Sequence, residues 1–206
     1  MAKKPIIGLC GGIGAGKSQV AAAFEGVGCR VIASDRLNHE ILRRAEVVRT
    51  LREWWGDAIL AADGTPDRAR VAEIVFGDPA AKARLESLVH PLIAQERAAI
   101  IDAVEKSSAI KAIVIDSPLL FESNLDRECD SIVFVDAGEP ERLRRVHEQR
   151  DWDAAELRRR EACQMPLSEK RRRADYVVDN GGPLDALRPR VADILNEIVD
   201  RHSCVD

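Results

Sequence analysis

Eight consecutive residues, Gly11-Gly12-Ile13-Gly14-Ala15-Gly16-Lys17-Ser18, constrain this chain more than any other stretch. They fit a pattern of two glycines with four residues between them, then Lys, then Ser or Thr. Glycine lets a backbone turn tightly and bring its N–H groups close to phosphate oxygens. Lys17 adds a point charge for the terminal phosphates, and Ser18 offers a hydroxyl to a magnesium ion. Residues 6–10 read as a short buried strand, and Val20, Phe24 and Val27 recur at helical spacing. Strand, glycine loop and helix is the context that gives the motif its meaning, because the helix aims its positive end at the same anion. The expectation is that Gly11, Gly12, Ile13, Gly14, Ala15, Gly16, Lys17 and Ser18 bind a nucleoside triphosphate. The competing reading is a glycine-rich turn with an incidental lysine. At ordinary residue frequencies a chance match in a chain this long is roughly a one-in-a-hundred event.

Strands and helices alternate in the rest of the chain. Apolar runs at 6–10, 30–33, 112–115, 131–135 and 176–178 predict five strands. The runs at 112–115 and 131–135 are continuously apolar, as in central strands of a parallel sheet covered on both sides. The fold class that follows is α/β, three layers (α/β/α) around a five-stranded parallel sheet. Ligands of such sheets bind outside the carboxyl ends of the strands, which singles out two acids. Asp116 ends the third run, a usual place for the acid that holds magnesium or its water shell in this kind of ATPase. Asp35 follows the second run, and position alone leaves it between a site residue and a cap, with Ser34, for a helix over 36–42.

No strand pattern occurs between residues 44 and 107. Leu51, Trp54, Trp55 and Ile59 make an apolar, aromatic patch. Thr65-Pro66 reads as an N-cap with Pro at the first helical position, Asp78-Pro79 as the start of another helix, and His90-Pro91 as the start of a third. An all-helical insert this long exceeds what one crossover needs. It reads as a second-substrate region, against the plainer alternative that it only packs on the sheet. His90 divides likewise between an acceptor contact and a helix cap.

Residues 139–173 are the most charged segment, with Arg142, Arg144, Arg145, Arg150, Arg158, Arg159, Arg160, Lys170, Arg171, Arg172 and Arg173 among several acids. A solvated helical hairpin with i,i+4 ion pairs, a nucleic-acid patch and an arginine-bearing lid compete for it. Phosphoryl transfer needs cations around the transferring group and exclusion of water, which favours the lid, with about two or three arginines on phosphate and the rest solvated. The interleaved acids weigh against nucleic acid. Asn180-Gly181-Gly182 is a tight turn after the last strand, either edging the base pocket or no more than a turn. The final helix carries Leu184, Leu187, Val191, Ile194, Leu195 and Ile198 on one face. Pro189 inside that pattern calls for a kink or a late start.

A chain of 206 residues accommodates one domain with insertions. Its net charge of −4 argues against binding nucleic acid over the whole surface. Cys10, Cys29, Cys129, Cys163 and Cys204 form no close pair, which speaks against a zinc site or a disulfide framework and for a reducing compartment. The positively charged start leads into an apolar run too short for a signal peptide or a membrane span. The expected location is cytoplasmic.

With those residues in view, the chain resembles the dephospho-coenzyme A kinases over nearly its whole length. The resemblance rests on the glycine loop, on Asp35, on Asp67-Arg68 followed by Phe76, on Leu85-Glu86 and His90-Pro91, and on Asp116-Ser117-Pro118-Leu119-Leu120-Phe121-Glu122. Gln164 with Lys170-Arg171, Ala174-Asp175 and Asp179-Asn180 complete it. The glycine loop is shared by many enzymes, whereas the His-Pro and Pro-Leu-Leu-Phe-Glu segments at these spacings are more specific.

The resemblance implies transfer of the ATP γ-phosphoryl group to the ribose 3′-hydroxyl of dephospho-coenzyme A, with Mg2+ accompanying ATP. It implies a P-loop kinase of three parts: a nucleotide-binding core (1–43, 108–138 and 174–206), a helical acceptor-binding insert (44–107) and a lid (139–173). Lys17, Asp35 and Arg145 are the catalytic residues it points to. Asp35 matches the second acid of the family's Asp-Ala-Asp segment and would accept the hydroxyl proton. Arg145, with Arg150 as the alternate, would reach phosphate from the lid. Asn180 joins the loop in binding ATP. Asp35, His90, Leu119, Leu120, Phe121 and Glu122 would meet the acceptor, and Ser18 and Asp116 would hold the metal. ATP and dephospho-coenzyme A are the implied partners, with no nucleic acid, membrane or obligatory protein partner.

Ala33 departs from the family pattern where the first Asp of that segment often stands, and Cys10 where many members have Thr. Ala33 removes a possible ligand for magnesium or its water, and Cys10 reads as a buried strand residue. The alternatives are another nucleoside or nucleotide kinase of similar build and, further off, an ATP-dependent regulator without a small acceptor. The lack of an Asn-Lys-x-Asp segment disfavours a GTPase.

Overall fold

The computed structural model describes residues 3–182 and 184–204. In chain order its elements are β1 (Ile6–Gly11), α1 (Lys17–Gly26), β2 (Cys29–Ala33), α2 (Ser34–Leu42), α3 (Ala45–Trp55), α4 (Arg68–Gly77) and α5 (Pro79–Glu105). Then follow β3 (Ala112–Asp116), β4 (Ser131–Asp136), α6 (Glu139–Arg150), α7 (Ala154–Glu161), α8 (Leu167–Arg173), β5 (Tyr176–Asp179) and α9 (Leu187–Ser203). All five predicted strands are present. The chain divides into two compact units, 1–33 with 103–206, and 34–102.

In the first unit the strands run in the order β2-β3-β1-β4-β5, every pair parallel. β1 is buried along its whole length, and alternate side chains face opposite sides of the sheet. Ile7 and Leu9 join Val20 and Phe24 of α1 and Val191 and Leu195 of α9 in one core cluster. Gly8 and Cys10 face the other way. A Cβ on Gly8 would stand 2.8 Å from Leu120 and 2.9 Å from Cys129, so a bare backbone there lets the segment after β3 pack onto the strand. α8 also lies against β1 and β4. Pro189 falls in the first turn of α9, where N–H groups have no intrahelical partner, and the helix accordingly starts late, at Leu187. The side chain of Leu184 lies outside the described residues. Asp116 is in register with Leu9 on one side and Ala33 on the other, and Asp136 with Asp179.

The second unit is helical. Ile41, Val47, Leu51, Ile59, Val71 and Val89 form its core, with Trp54 and Trp55 packed against it. Arg84 lies 4.0 Å above the Trp54 ring. This unit begins at Ser34, ten residues before the expected insert, because Ile41 of α2 packs in this core. Two expected helix starts are corrected. The cap of α4 is Asp67, whose carboxylate accepts the Ala69 N–H at 2.9 Å, and Pro66 pairs with Leu60 in an isolated bridge instead of opening the helix. An ionised side chain at a helix N-terminus gains from the macrodipole as a hydroxyl does not. α5 runs unbroken through His90 and Pro91, so His90 neither caps nor starts a helix. A mid-helix proline costs on the order of 3 kcal/mol, which is offset by core packing of Leu88, Val89, Leu92 and Ile93 around it. Among the described residues no helix is long and apolar enough to cross a membrane.

Candidate active site

β1 ends at Gly11 and α1 begins at Lys17, so the glycine loop is the whole connection between them. Gly14 and Gly16 have φ of +76° and +80°, in the left-handed region that glycine enters freely. No side chain caps α1, and its first turn carries no acid. Its first N–H groups and positive end are therefore available to an anion.

A loop that turns its N–H groups toward an anion turns carbonyls the other way, and buried carbonyls need donors. Within the loop, the Ala15 N–H donates to the Gly12 carbonyl at 3.1 Å. Side chains from elsewhere supply the rest. Arg142 Nη1 donates to the Ile13 carbonyl at 3.2 Å. Arg145 Nη1 donates to the Ala15 carbonyl at 3.1 Å, and its Nη2 to the Asn180 carbonyl at 2.8 Å. Asn180 Nδ2 donates to the Ala15 carbonyl at 2.8 Å. Asn180 is buried and braces the loop from behind. Arg145 is anchored at the loop and paired with Glu141 at 2.8 Å, whereas its alternate, Arg150, lies over the Trp152 ring.

Lys17 pairs with Asp116, so the residues expected to serve phosphate and metal meet at the ends of β1 and β3. Ser18 is exposed in the first turn of α1. Among the described residues no three His, Cys, Asp or Glu side chains gather to hold a metal. Magnesium rarely takes such a cage; it keeps several waters and is held by one or two carboxylates plus substrate phosphates. A Ser18 hydroxyl and an Asp116 carboxylate are a donor set of that kind. Asp35 is exposed in the first turn of α2, two residues past the end of β2.

The segment after Asp116 divides by burial. Leu120 is fully buried and Phe121 is 5% exposed. Leu120 packs against Gly8, and the Arg173 guanidinium covers the Phe121 ring at 4.3 Å. These two are core residues, and burying such side chains gains about 1.5–3 kcal/mol each. Leu119 is 42% exposed. Glu122 accepts the Met165 N–H at 2.8 Å and pairs with Lys170 at 2.9 Å. Burial works to raise its pKa, but hydrogen bonds from Lys170 and the Met165 N–H outweigh it and hold the carboxyl below the usual range. Lys170 has no exposed surface and also donates to the Pro118 carbonyl at 3.0 Å and to Gln164 Oε1 at 3.2 Å. Three donor positions meet three acceptors. Burial pushes the Cys10 thiol up to about 12, so Cys10 is a protonated strand residue and no nucleophile. His90 is exposed in the middle of α5.

The sequence did not separate Arg142 from its charged neighbours, nor show that Lys170 is buried. For Arg142 a signal existed: it lies three residues before Arg145, on the same helix face. Nothing local marks Lys170 as buried.

Residues 5–185 match the family model described as dephospho-CoA kinase. A protein of Corynebacterium glutamicum named dephospho-CoA kinase is 39% identical over 196 residues, covering 95% of this chain and 98% of its own length. One of the same name from Syntrophotalea carbinolica is 36% identical, covering 94% of this chain and 92% of its own. The crystal structure of TT1252 from Thermus thermophilus superposes with a TM-score of 0.79 at 33% identity, covering 95% of this chain and 98% of that one.

Proposed function

The chain belongs to the dephospho-CoA kinase family, and we propose that it transfers the γ-phosphoryl group of ATP to the ribose 3′-hydroxyl of dephospho-coenzyme A, the closing step of coenzyme A synthesis. The observation that carries the chemistry is the glycine loop, with its carbonyls tied back by side chains and Lys17 paired to Asp116 at its end. The transition state of phosphoryl transfer is loose, so the protein's work is positioning and neutralising charge. Loop amides and the first turn of α1 hold the β- and γ-phosphates. Lys17 leaves Asp116 for the terminal phosphates. Ser18 and Asp116 would hold Mg2+, which would supply neutralisation of charge on the phosphate oxygens.

Asp35 accepts the proton of the 3′-hydroxyl, and Arg145 adds a cation at the transferring group. His90, in an acceptor insert of residues 44–107, and Leu119, Leu120, Phe121 and Glu122, in the segment after β3, are with Asp35 the candidate acceptor contacts. Residues 139–173 act as a lid that excludes water, residues 1–43, 108–138 and 174–206 form the nucleotide-binding core, and the work is done in the cytoplasm.

The test is ADP release with ATP and magnesium, with dephospho-coenzyme A, adenosine and nucleoside monophosphates offered in parallel. Release with dephospho-coenzyme A alone, and a product phosphorylated at the 3′ position, supports the proposal. Release with another acceptor overturns the substrate and keeps the phosphate chemistry. ATP binding without acceptor-dependent release removes the kinase reading.

A further inference from the structure

Arg142 is the one arginine among residues 139–173 whose side chain is buried. A buried guanidinium is stable only with a counter-charge and hydrogen-bond acceptors around it. Arg142 finds its counter-charge in Glu161, at the end of α7, with the two side chains 8% and 21% exposed. The same Nη1 that meets Glu161 donates to the Ile13 carbonyl at 3.2 Å. The guanidinium approaches the glycine loop closely, for a Cβ on Gly12 would stand 3.0 Å from Nη1. The backbone of α6 is equally close: a Cβ on Gly14 would stand 2.6 Å from the Arg142 carbonyl oxygen. One residue of α6 thus lies close to the loop at three successive positions, 12, 13 and 14.

We infer that Arg142, held by Glu161, is a positioning residue for the phosphate loop. By donating to the Ile13 carbonyl it fixes the orientation of the peptide that links Ile13 to Gly14. That peptide's N–H belongs to Gly14 and points away from its own carbonyl, toward the anion side. Without the donor, the peptide is free to turn its carbonyl toward the phosphates, and the nest of amides loses one member. Glu161 ties this arrangement to α7, so the loop's shape depends on where the helix after Trp152 sits. Arg142 itself does not touch phosphate. The inference rests on the reading of the loop as a triphosphate site, but not on the identity of the acceptor.

The binding measurements that decide it therefore omit the acceptor. Affinities for MgATP, ADP, AMP and adenosine are measured by calorimetry on the full chain and on Arg142→Gln, Arg142→Lys and Glu161→Gln. A hydrogen bond from a charged donor is worth about a tenfold to hundredfold change in an equilibrium. Arg142→Gln is expected to weaken MgATP about tenfold or more, ADP less and adenosine not at all. Arg142→Lys, which keeps a charge and a donor, recovers most of the loss, and Glu161→Gln falls between. In turnover, the KM for ATP rises while that for the acceptor stays. Equal weakening of ATP and adenosine would mean general loosening and overturn the inference, as would unchanged MgATP affinity in Arg142→Gln. Should Arg142→Gln fail to fold, unchanged MgATP affinity in both Arg142→Lys and Glu161→Gln overturns it. If no variant or wild type binds ATP, the triphosphate reading itself falls.

Discussion

The two faces of the α6–α7 region carry the same residue types to different ends. On the inner face, Arg142 and Arg145 have side chains 8% and 13% exposed and end on loop carbonyls. On the outer face, Arg144, Arg158, Arg159 and Arg160 are 50% exposed or more and end on carboxylates of Glu141, Glu148, Glu139 and Glu156. By ion-pair geometry alone the two sets look alike. They differ in what else the guanidinium touches. An outer pair exchanges water for a carboxylate in high dielectric and gains little, and salt screens what it gains. An inner arginine satisfies part-buried loop backbone, and its loss takes a donor from a carbonyl there. An arginine-rich helix should therefore be read by the second partner of each side chain.

This contrast can be attacked from its strongest point downward. Lys17→Ala removes the one cation of the loop itself. Its kcat/KM, measured by ADP release, should fall about 10²–10³-fold or more; a loss under tenfold would take Lys17 out of the mechanism. Arg145→Ala should lower kcat/KM about 10- to 10²-fold, combining a lost cation with an Asn180 carbonyl that loses its donor. A value equal to wild type would put Arg145 with the outer set. Lys170→Met probes a buried cation outside the loop. It strands the Pro118 carbonyl, Gln164 and Glu122, at a cost of about 2 kcal/mol, which for a chain of this size lowers Tm by about 4–8 °C.

Smaller effects belong to the outer face. Arg144→Ala should leave kcat and the KM for ATP at wild-type values in moderate salt, and any tenfold loss would break the comparison. The hydrogen bond from Arg144, with the charges of Arg145 and Arg144, holds the Glu141 carboxyl at about 2, below its ordinary 4.5. A depressed carboxylate pKa stabilises the fold above the unfolded value. That contribution is lost as pH falls from about 4.5 toward about 2. Denaturant titrations at stepped pH should show this acid-side loss in the wild type and less of it in Glu141→Gln. Identical slopes would separate Glu141 from the pair.

Everything that depends on local spacing was legible. The glycine loop, the apolar runs of the five strands, the late start at Pro189 and the apolar face of α9 each follow from a few adjacent residues, because backbone conformation and side-chain periodicity are short-range properties. The misreadings also have short-range causes. Thr65-Pro66 looked like a helix start because Asp67, a better cap, was two residues further on. His90-Pro91 looked like one because a proline's local penalty was visible and the packing around it was not. What spacing could not show is burial within Leu119–Glu122: in the fold Leu119 is 42% exposed while Leu120 has no exposed surface. The difference is made by Gly8, more than a hundred residues earlier in the chain.

The sequence by itself determined the α/β class, the phosphate loop and the identity of its lysine and hydroxyl. Only the tertiary structure decided which arginines of the charged segment serve the loop, that Asn180 braces it from behind, and that Lys170 is wholly inside. Those choices are set by which carbonyls and carboxylates a distant element brings within hydrogen-bonding reach. A charged side chain on a helix carries no mark of the partner it will meet until the helix is docked.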